Sequence, residues 1–148
     1  SALANTPAAP NGVVRQSQDF TCVPAACATA LNRLGIAATE ADMAILTGTR
    51  PGTGSTLIRA MDGLEQMVQG RGYTVELVRP SFEDLTSLPM PVIAPFRIER
   101  SSRHMVVLME VNDRRVTYFD PLEGIIETSR FMFDELYDGQ AIVFRRTD

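Results

Sequence analysis

Cys22 is the residue best placed for covalent chemistry, because it stands where a polar segment meets an alanine-rich run. From Pro24 onward that run consists mostly of strong helix formers, and proline is accepted in the first turn of a helix. The pattern predicts a helix over residues 24–34, with Cys22 at or just before its first turn. Unpaired backbone N–H groups and the positive end of the helix dipole lie there, and both favour a thiolate over a thiol.

A nucleophilic cysteine needs a base, and the chain holds one histidine, His104. The second cysteine, Cys27, lies five residues after Cys22 on the same predicted helix. Because each helical residue turns about 100°, the two cysteine side chains lie about 140° apart around the axis, and we expect no disulfide. Cys22 is therefore the candidate nucleophile and Cys27, a turn inside the helix, the inert thiol. The alternative for Cys22 is a small buried hydrophobic residue.

Asp120 is the candidate for holding His104 in position. Residues 104–111 alternate as a strand does, an Asn-Asp turn follows, and residues 114–119 return, which together predict a hairpin. His104 begins this hairpin and Asp120 follows its second strand, so the two side chains are expected to be neighbours. A carboxylate on one imidazole nitrogen fixes the tautomer and leaves the other nitrogen for the thiol proton. The alternative for Asp120 is an ordinary turn residue before proline.

The remaining pattern places helices in the first half of the chain and strands in the second half. Two further helices, capped by Thr39 and Ser55, are joined by a glycine-rich loop over residues 47–54. The other predicted elements are a short edge strand at 13–14, strands at 73–78, 91–98, 125–128 and 141–146, and helices at 81–88 and 129–137. This order predicts an α+β fold in which the Cys22 helix packs on an antiparallel sheet that carries the base, a papain-like arrangement.

The composition is that of an ordinary globular protein, with 45% hydrophobic and 22% charged residues among 148. A net charge of −4 argues against nucleic acid or an anionic membrane as the main partner, since both require a basic face. With one histidine, two cysteines and no CxxC spacing, we expect no metal site and no cofactor. No apolar run reaches the roughly 18 residues that a membrane span needs.

The first residues are predicted to form a flexible arm, residues 1–12, ahead of one domain over residues 13–148. The arm is rich in alanine and proline and has no periodic pattern. Its Ala2-Leu3-Ala4 sequence is similar to the small-residue end of a secretory signal, which predicts a periplasmic or secreted protein. The alternative is a plain alanine and proline tail.

Four sequence features together resemble one enzyme family. Gln16 lies six residues before Cys22, Cys22 begins a Cys-x-Pro-Ala sequence, His104 is followed after one residue by Val-Val-Leu, and Asp120-Pro121 lies sixteen residues after the histidine. Over residues 13–144 the chain resembles the double-glycine, bacteriocin-processing peptidases. These are papain-like cysteine peptidases, often found as the N-terminal domain of peptidase-containing ABC transporters.

The resemblance implies a role for each of these residues. Cys22 would be the nucleophile, His104 the general base and then acid, and Asp120 the residue that orients the imidazole. Gln16 would donate a hydrogen bond to the oxyanion together with the Cys22 backbone N–H, with Gln18 as a less favoured substitute. The implied reaction is hydrolysis of the bond after a Gly-Gly type pair in a leader or precursor peptide, through a Cys22 thioester.

A cleft that accepts Gly-Gly must be narrow before the scissile bond, and its expected walls are Val23 with Gly52 and Gly54 of the 47–54 loop. The family usually has Asp-Cys-Gly where this chain has Thr-Cys-Val at 21–23, so the close approach that a glycine allows is lost. The chain also shows no transporter or membrane segment, which predicts a freestanding form.

Two other functions stay open on the sequence. A domain of this kind could bind leader peptides without cutting them, although such a form is expected to lack the cysteine. The same dyad could also serve a transpeptidase or an amidase, because the acyl-enzyme is the same. The expected partner in each case is a peptide or protein precursor, and the oligomeric state is left open.

Overall fold

The computed structural model describes residues 8–98 and 103–147 of the chain. Helices dominate its first half and strands its second half, as the sequence predicts. The described helices are α1 (Cys22–Arg33), α2 (Glu40–Leu46), α3 (Leu57–Val68), α4 (Phe82–Leu85) and α5 (Arg130–Leu136), and the described strands are β1 (Tyr73–Val78), β2 (Val92–Arg97), β3 (Arg103–Val111), β4 (Arg115–Asp120), β5 (Gly124–Ser129) and β6 (Ala141–Arg146).

The six strands form one antiparallel sheet in the order β1-β6-β2-β3-β4-β5. β3 is the longest strand, with nine residues, and it pairs with β2 from Arg103 onward. Its pairing with β4 begins only at Val107, opposite Phe119. The first residues of β3 therefore extend past the end of β4, so their edge on the β4 side is not covered by a strand. The start of α1 meets β3 at this uncovered edge.

Apolar side chains cover both faces of the sheet. On one face α1, α2 and α3 pack around a core that includes Met105 and Val107 of β3. On the other face α4 and α5 pack around a core that includes Val106 and Leu108 of β3 and the fully buried Phe133. Successive strand residues point to opposite faces, so this division confirms the alternation predicted for the β3 segment.

α1 begins two residues earlier than predicted. Ala25 N donates to the Thr21 carbonyl at 3.1 Å, so the first helical hydrogen bond already closes over Cys22. Pro24 is then the third helical residue and still lies in the first turn, where a backbone N–H has no partner within the helix. Cys22 itself is therefore the first residue of the helix.

The predicted edge strand at residues 13–14 is wrong. Val14 N donates to the hydroxyl of Thr29 on α1 at 2.9 Å, and Val13 and Val14 pack against the core on the α1 face. The Val14 N–H, which a strand would have used for pairing, is thus bonded to the Thr29 side chain of α1 instead.

Part of the predicted N-terminal arm lies along the end of α1. Residues 9–12 form a turn, and Asn32 Nδ2 donates to the Gly12 carbonyl at 3.2 Å. The Ala2-Leu3-Ala4 segment lies outside the described residues. Within residues 8–98 and 103–147 no helix is long and apolar enough to cross a membrane. The same ranges contain no group of three His, Cys, Asp or Glu side chains that could hold a metal ion.

α2 and α3 meet around Thr47. The cap of α3 is Thr56 rather than the predicted Ser55, whose hydroxyl instead donates to the Thr47 carbonyl at 2.7 Å. Gly63 of α3 packs against the same residue, and a Cβ at Gly63 would lie 2.9 Å from Thr47 Cγ2. Thr47 opens the 47–54 loop, so these contacts fix where that loop leaves α2.

Gly63→Ala should lower the free energy of unfolding. The added methyl group overpacks the contact with Thr47, at a cost of about 1–3 kcal/mol. This exceeds the roughly 1 kcal/mol that alanine gains over glycine in helix propensity. Urea unfolding measures the change, and the exposed Gln66→Ala in the same helix is the control, expected within about 0.5 kcal/mol of the parent. Equal midpoints for both variants would show that α2 and α3 have room to separate.

Candidate active site

His104 and Asp120 lie together at the end of the β3–β4 hairpin. His104 Nε2 is 2.6 Å from Asp120 Oδ1, and the two side chains are 12% and 15% exposed. Asp120 is the last residue of β4, and its Oδ1 also accepts hydrogen bonds from Leu122 N at 2.8 Å and Glu123 N at 3.3 Å. Asp120 therefore closes the turn and also hydrogen-bonds with His104, so the turn position does not exclude the orienting role.

Cys22 lies at the other side of the imidazole. Its thiol faces His104 and the backbone N–H of Met105, and both contacts lower its pKa. Because Nε2 of His104 is engaged with Asp120, Nδ1 is the nitrogen that faces the sulfur. Cys22, His104 and Asp120 thus lie in series, with the imidazole between the thiol and the carboxylate.

The strand pairing explains why the Met105 N–H is available to the sulfur. Pro95 of β2 lies opposite Met105, and its carbonyl accepts from Asp138 N at 3.4 Å. In an antiparallel pair, alternate residues turn their N–H and C=O groups away from the partner strand. The Met105 N–H therefore points to the open side of β3, which β4 does not reach and Cys22 does.

The contacts of Cys22 and His104 favour an ion pair. Burial raises the pKa of Cys22, but its hydrogen bonds with His104 and Met105 N, together with the His104 charge, outweigh burial and lower the pKa overall. Burial lowers the pKa of His104, whereas hydrogen bonds with Asp120 and Cys22 and their negative charges raise it to about 9. These contacts therefore favour the thiolate and imidazolium form of the pair over the neutral form.

Asp120 and Cys27 lie in opposite electrostatic surroundings. Burial raises the pKa of Asp120, but the hydrogen bond with His104, the backbone N–H of Leu122 and the His104 charge lower it overall, so the carboxylate stays ionised. Cys27 is fully buried, and this burial, with the nearby Cys22 charge, raises the pKa of its thiol far above the usual range. The pKa values of the two cysteines of α1 are thus shifted in opposite directions.

Gln16 is tied to the same turn as Asp120. Its backbone N–H donates to the Pro121 carbonyl at 2.9 Å, and its side-chain Nε2 donates to the Gln18 carbonyl at 2.7 Å. The Thr21 hydroxyl donates to that same carbonyl at 3.0 Å, which links the Gln16 amide to the residue that precedes Cys22. Gln16 Oε1 is buried, and no described residue hydrogen-bonds to it. A side-chain amide has two N–H bonds, and the Gln18 carbonyl takes one of them. Gln16 is not among the residues that line the cleft beside Cys22.

Cys22 opens into a cleft of about 690 Å³. Val23, Gly52 and Gly54, the residues expected to contact substrate, all line this cleft. The other lining residues are Asp19, Phe20, Thr53, Ser55, Thr56, Leu57, Pro95, Arg103, Met105 and Gln140. The structure thus brings the sulfur and the predicted walls to one concave surface.

The glycines of the 47–54 loop shape one wall of the cleft. Gly52 and Gly54 have φ angles of 83° and 64°, in the left-handed region that residues with side chains rarely adopt. Gly54 N donates to the Arg50 carbonyl at 2.8 Å, which closes a tight turn. A Cβ on Gly54 would lie 3.5 Å from the Phe20 carbonyl, so the turn lies close to the segment that leads into Cys22.

The opposite wall holds polar residues that sequence analysis missed. Arg103 Nε lies 3.0 Å from Asp138 Oδ2, and the Asp138 side chain is only 2% exposed. Gln140 N donates to Asp138 Oδ1 at 3.0 Å, which places Gln140 on the cleft wall beside Arg103. No sequence signal joins these residues, because Arg103 and Asp138 meet only when the sheet has formed.

The site can be compared with known proteins. Residues 11–148 match the Peptidase C39 family. The chain belongs to this family. As a C39 peptidase it is a papain-like cysteine peptidase, which confirms the fold class and the family that the sequence motifs suggested. An uncharacterized protein from Methanothermobacter marburgensis is 32% identical over 136 residues, which cover 92% of this chain and 89% of that protein. An uncharacterized protein from Methanothermobacter thermautotrophicus is 32% identical over 134 residues, which cover 90% of this chain and 88% of that protein.

Several solved structures share the fold. A double glycine motif protease from an AMS/PCAT transporter, solved in complex with the leader peptide, has a TM-score of 0.77 at 20% identity, covering 98% of this chain and 97% of that one. The peptidase domain of Streptococcus ComA, a bi-functional ABC transporter, has a TM-score of 0.79 at 18% identity, with 93% and 99% covered. A C39-like peptidase from Bacillus anthracis has a TM-score of 0.74 at 15% identity, with 97% and 100% covered.

The pH dependence of thiol alkylation should report the ion pair. Because contacts with His104 lower the pKa of Cys22, iodoacetamide should still modify Cys22 rapidly at neutral pH and slow only as the pH falls through that lowered pKa. Asp120→Asn removes the charge that raises the pKa of His104, so the imidazolium weakens and the alkylation curve should move to higher pH. Peptide mapping by mass spectrometry measures both cysteines.

Cys27 is the internal control for this measurement, since its burial should keep it unmodified while the protein is folded. Faster modification of Cys27 than of Cys22 would contradict the assignment of the reactive thiol. An alkylation curve that Asp120→Asn leaves in place would contradict the role given to Asp120.

Proposed function

We propose that this C39 peptidase hydrolyses the peptide bond after a Gly-Gly type pair in a leader or precursor peptide, with Cys22 as nucleophile. The observation that carries the proposal is the series of Cys22, His104 and Asp120, in which the Cys22 sulfur opens into the cleft. The likeness in fold to a double glycine motif protease that was solved with its leader peptide supports the substrate class.

Acylation uses the ion pair directly. The Cys22 thiolate adds to the carbonyl carbon of the scissile bond, and the carbonyl oxygen becomes an oxyanion. When the oxyanion collapses, the C–N bond breaks and His104 gives its Nδ1 proton to the leaving amine. The products of this half-reaction are a Cys22 thioester, a neutral His104 and a free amine. Asp120 stays ionised throughout and holds the imidazole in place.

Deacylation reverses the proton transfer. Neutral His104 takes a proton from water as the water oxygen attacks the thioester carbon. The second oxyanion collapses, the C–S bond breaks, and the acid product leaves while the thiolate and imidazolium form again. The complete cycle therefore starts and ends with the charges that the contacts of His104 favour.

Gln16 is the proposed side-chain donor to the oxyanion. Its amide is held by the Gln18 carbonyl and its backbone by Pro121, so the remaining N–H is fixed before substrate binds. A neutral donor suits this place, because a cation would also compete with His104 for the thiolate. The Cys22 backbone N–H, at the start of α1, supplies the second donor.

The preference for small residues follows from the proposed walls. Val23 lies directly after the nucleophile and is only 5% exposed, so its side chain is fixed against the core. The 47–54 loop closes the other side with a turn that depends on glycine. Side chains on the two residues before the scissile bond would be excluded by steric overlap rather than by lost attraction.

A transpeptidase or an amidase would use the same Cys22 thioester, so the acceptor separates these functions from hydrolysis. Non-cleaving leader binding is less favoured, because a binding module has no use for a thiol whose pKa is lowered by its contacts. Product analysis distinguishes the cases, since hydrolysis gives a free carboxylate and transfer gives a new amide.

Matched peptides test the specificity. Peptides with Gly-Gly before the cut should be hydrolysed with a much higher kcat/KM than peptides with Ala-Leu or Phe-Arg there, because the walls exclude the larger side chains. Chromatography of the products measures the rates, and Cys22→Ala controls for contaminating activity. Comparable kcat/KM for the three peptides would overturn the double-glycine assignment and leave the cysteine hydrolase standing.

The role of Gln16 has its own test. Gln16→Ala should lower kcat by about 10²–10³ with little change in KM, as for the loss of one oxyanion donor. Gln18→Ala is the matched control, because Gln18 holds the Gln16 amide through its backbone carbonyl and should keep near-normal turnover. The reverse result would assign the oxyanion donor to Gln18.

A further inference from the structure

A buried carboxylate lies behind the segment that contains Gln16. Glu40, the first residue of α2, is 0% exposed. Its Oε2 accepts from Ser17 N at 2.7 Å and its Oε1 accepts from Ser17 Oγ at 2.5 Å. Both carboxylate oxygens are therefore directed at one residue, which is 23 positions away in the chain and adjacent to Gln16.

The N-terminal cap of α2 does not use this carboxylate. Thr39 caps the helix, and Thr39 and Asp42 together form a capping box. Burying an ionised carboxylate is unfavourable unless hydrogen bonds compensate for the lost water. Among the described residues, the hydrogen bonds that satisfy Glu40 come from Ser17 alone. The buried charge is thus used to hold the segment before α1.

We propose that Glu40 is a positioning residue for the oxyanion site, which acts by holding Ser17 and through it Gln16. This inference rests on the proposed role of Gln16. Three contacts then fix residues 16–18: Gln16 N to the Pro121 carbonyl, Ser17 to Glu40, and Gln18 N to the Thr21 hydroxyl at 3.1 Å. Preorganised donors stabilise an oxyanion without reorganisation, so a loose Gln16 costs rate even when its amide is present.

The carboxylate suits this task better than an amide would. Ser17 offers two donors, its N–H and its O–H, and a carboxylate offers two acceptor oxygens. In Glu40→Gln one oxygen becomes an NH₂ group, so one Ser17 donor loses its acceptor. Ser17→Ala changes the other partner of the pair and removes its hydroxyl donor. Because Ser17 is exposed, this variant does not disturb the core. Ser17→Thr keeps both donors.

Steady-state kinetics with the Gly-Gly peptide give the first test. Glu40→Gln should lower kcat by about tenfold or more with little change in KM, since a hydrogen bond to a charged group is lost. Ser17→Ala should lower kcat in the same direction, and Ser17→Thr should restore it. Glu127→Gln, an exposed carboxylate in an ion pair with Arg115, is the matched control and should keep the parent kcat.

The double variant distinguishes positioning from general damage. If Glu40 acts through Gln16, adding Glu40→Gln or Ser17→Ala to Gln16→Ala should lower kcat no further. Alkylation of Cys22 by iodoacetamide needs no oxyanion donor, so its rate and pH profile should match the parent in Glu40→Gln. A merely structural defect would instead add to the loss in Gln16→Ala or slow the alkylation.

A peptide aldehyde that ends in Gly-Gly gives a readout without turnover. The Cys22 thiolate adds to the aldehyde carbon, and the aldehyde oxygen becomes the tetrahedral oxyanion that the donors bind. Glu40→Gln and Gln16→Ala should both weaken aldehyde binding and leave binding of the matched Gly-Gly amide unchanged. Since no bond is cleaved, this result does not depend on whether the natural acceptor is water or an amine.

The outcomes separate the two proposals. Full kcat and full aldehyde affinity in Gln16→Ala would remove Gln16 from the reaction, and the inference about Glu40 would fall with it. If Gln16→Ala has a lowered kcat while Glu40→Gln and Ser17→Ala keep the parent kcat, the role of Glu40 alone is overturned. Where Glu40→Gln fails to fold by circular dichroism, Ser17→Ala and its double variant with Gln16→Ala decide the question.

Discussion

The hydrogen bond between His104 Nε2 and Asp120 Oδ1 decides what the other site residues can do. It commits one imidazole nitrogen, so the Cys22 sulfur meets the other. It also favours the imidazolium, which in turn favours the thiolate. The bond exists because β4 ends at Asp120 while β3 continues back to Arg103. A longer β4 would occupy the edge at which the first residue of α1 now lies.

The two cysteines show that contacts, rather than exposure alone, set the reactivity of a thiol. Cys22 and Cys27 belong to the same helix, and burial favours the neutral thiol for both. For Cys22, contacts with His104, the Met105 N–H and the start of the helix lower the pKa and outweigh the effect of burial. Cys27 is surrounded by apolar core, which does not offset the effect of burial on its pKa. The Met105 N–H is part of this difference, and it is free because Met105 and Pro95 form a strand pair whose N–H and C=O groups turn away from each other.

The sequence predicts the parts of the site that local rules control. A proline in a first turn places Cys22 at a helix start, and strand alternation with a turn brings His104 and Asp120 to one end of a hairpin. Contacts between distant segments leave no such signal in the sequence. In the sequence Glu40 is an ordinary acidic residue in the first turn of a helix. Its hydrogen bonds with Ser17 form only when α2 packs beside the segment before α1. The edge strand predicted from Val13 and Val14 failed for the same reason, because Thr29 on α1 takes the donor.

The turn after β4 is a surface connection whose length and position are fixed by hydrogen bonds to site residues. Turns between strands commonly accept insertions and sequence drift. Here Asp120 holds the imidazole and the next carbonyl, that of Pro121, holds Gln16 N, so any lengthening would displace the base and its neighbouring amide together. The 47–54 loop has no hydrogen bond to either group among the described residues. Evolution or redesign can therefore change this part of the cleft lining without moving the turn that holds His104 and Gln16.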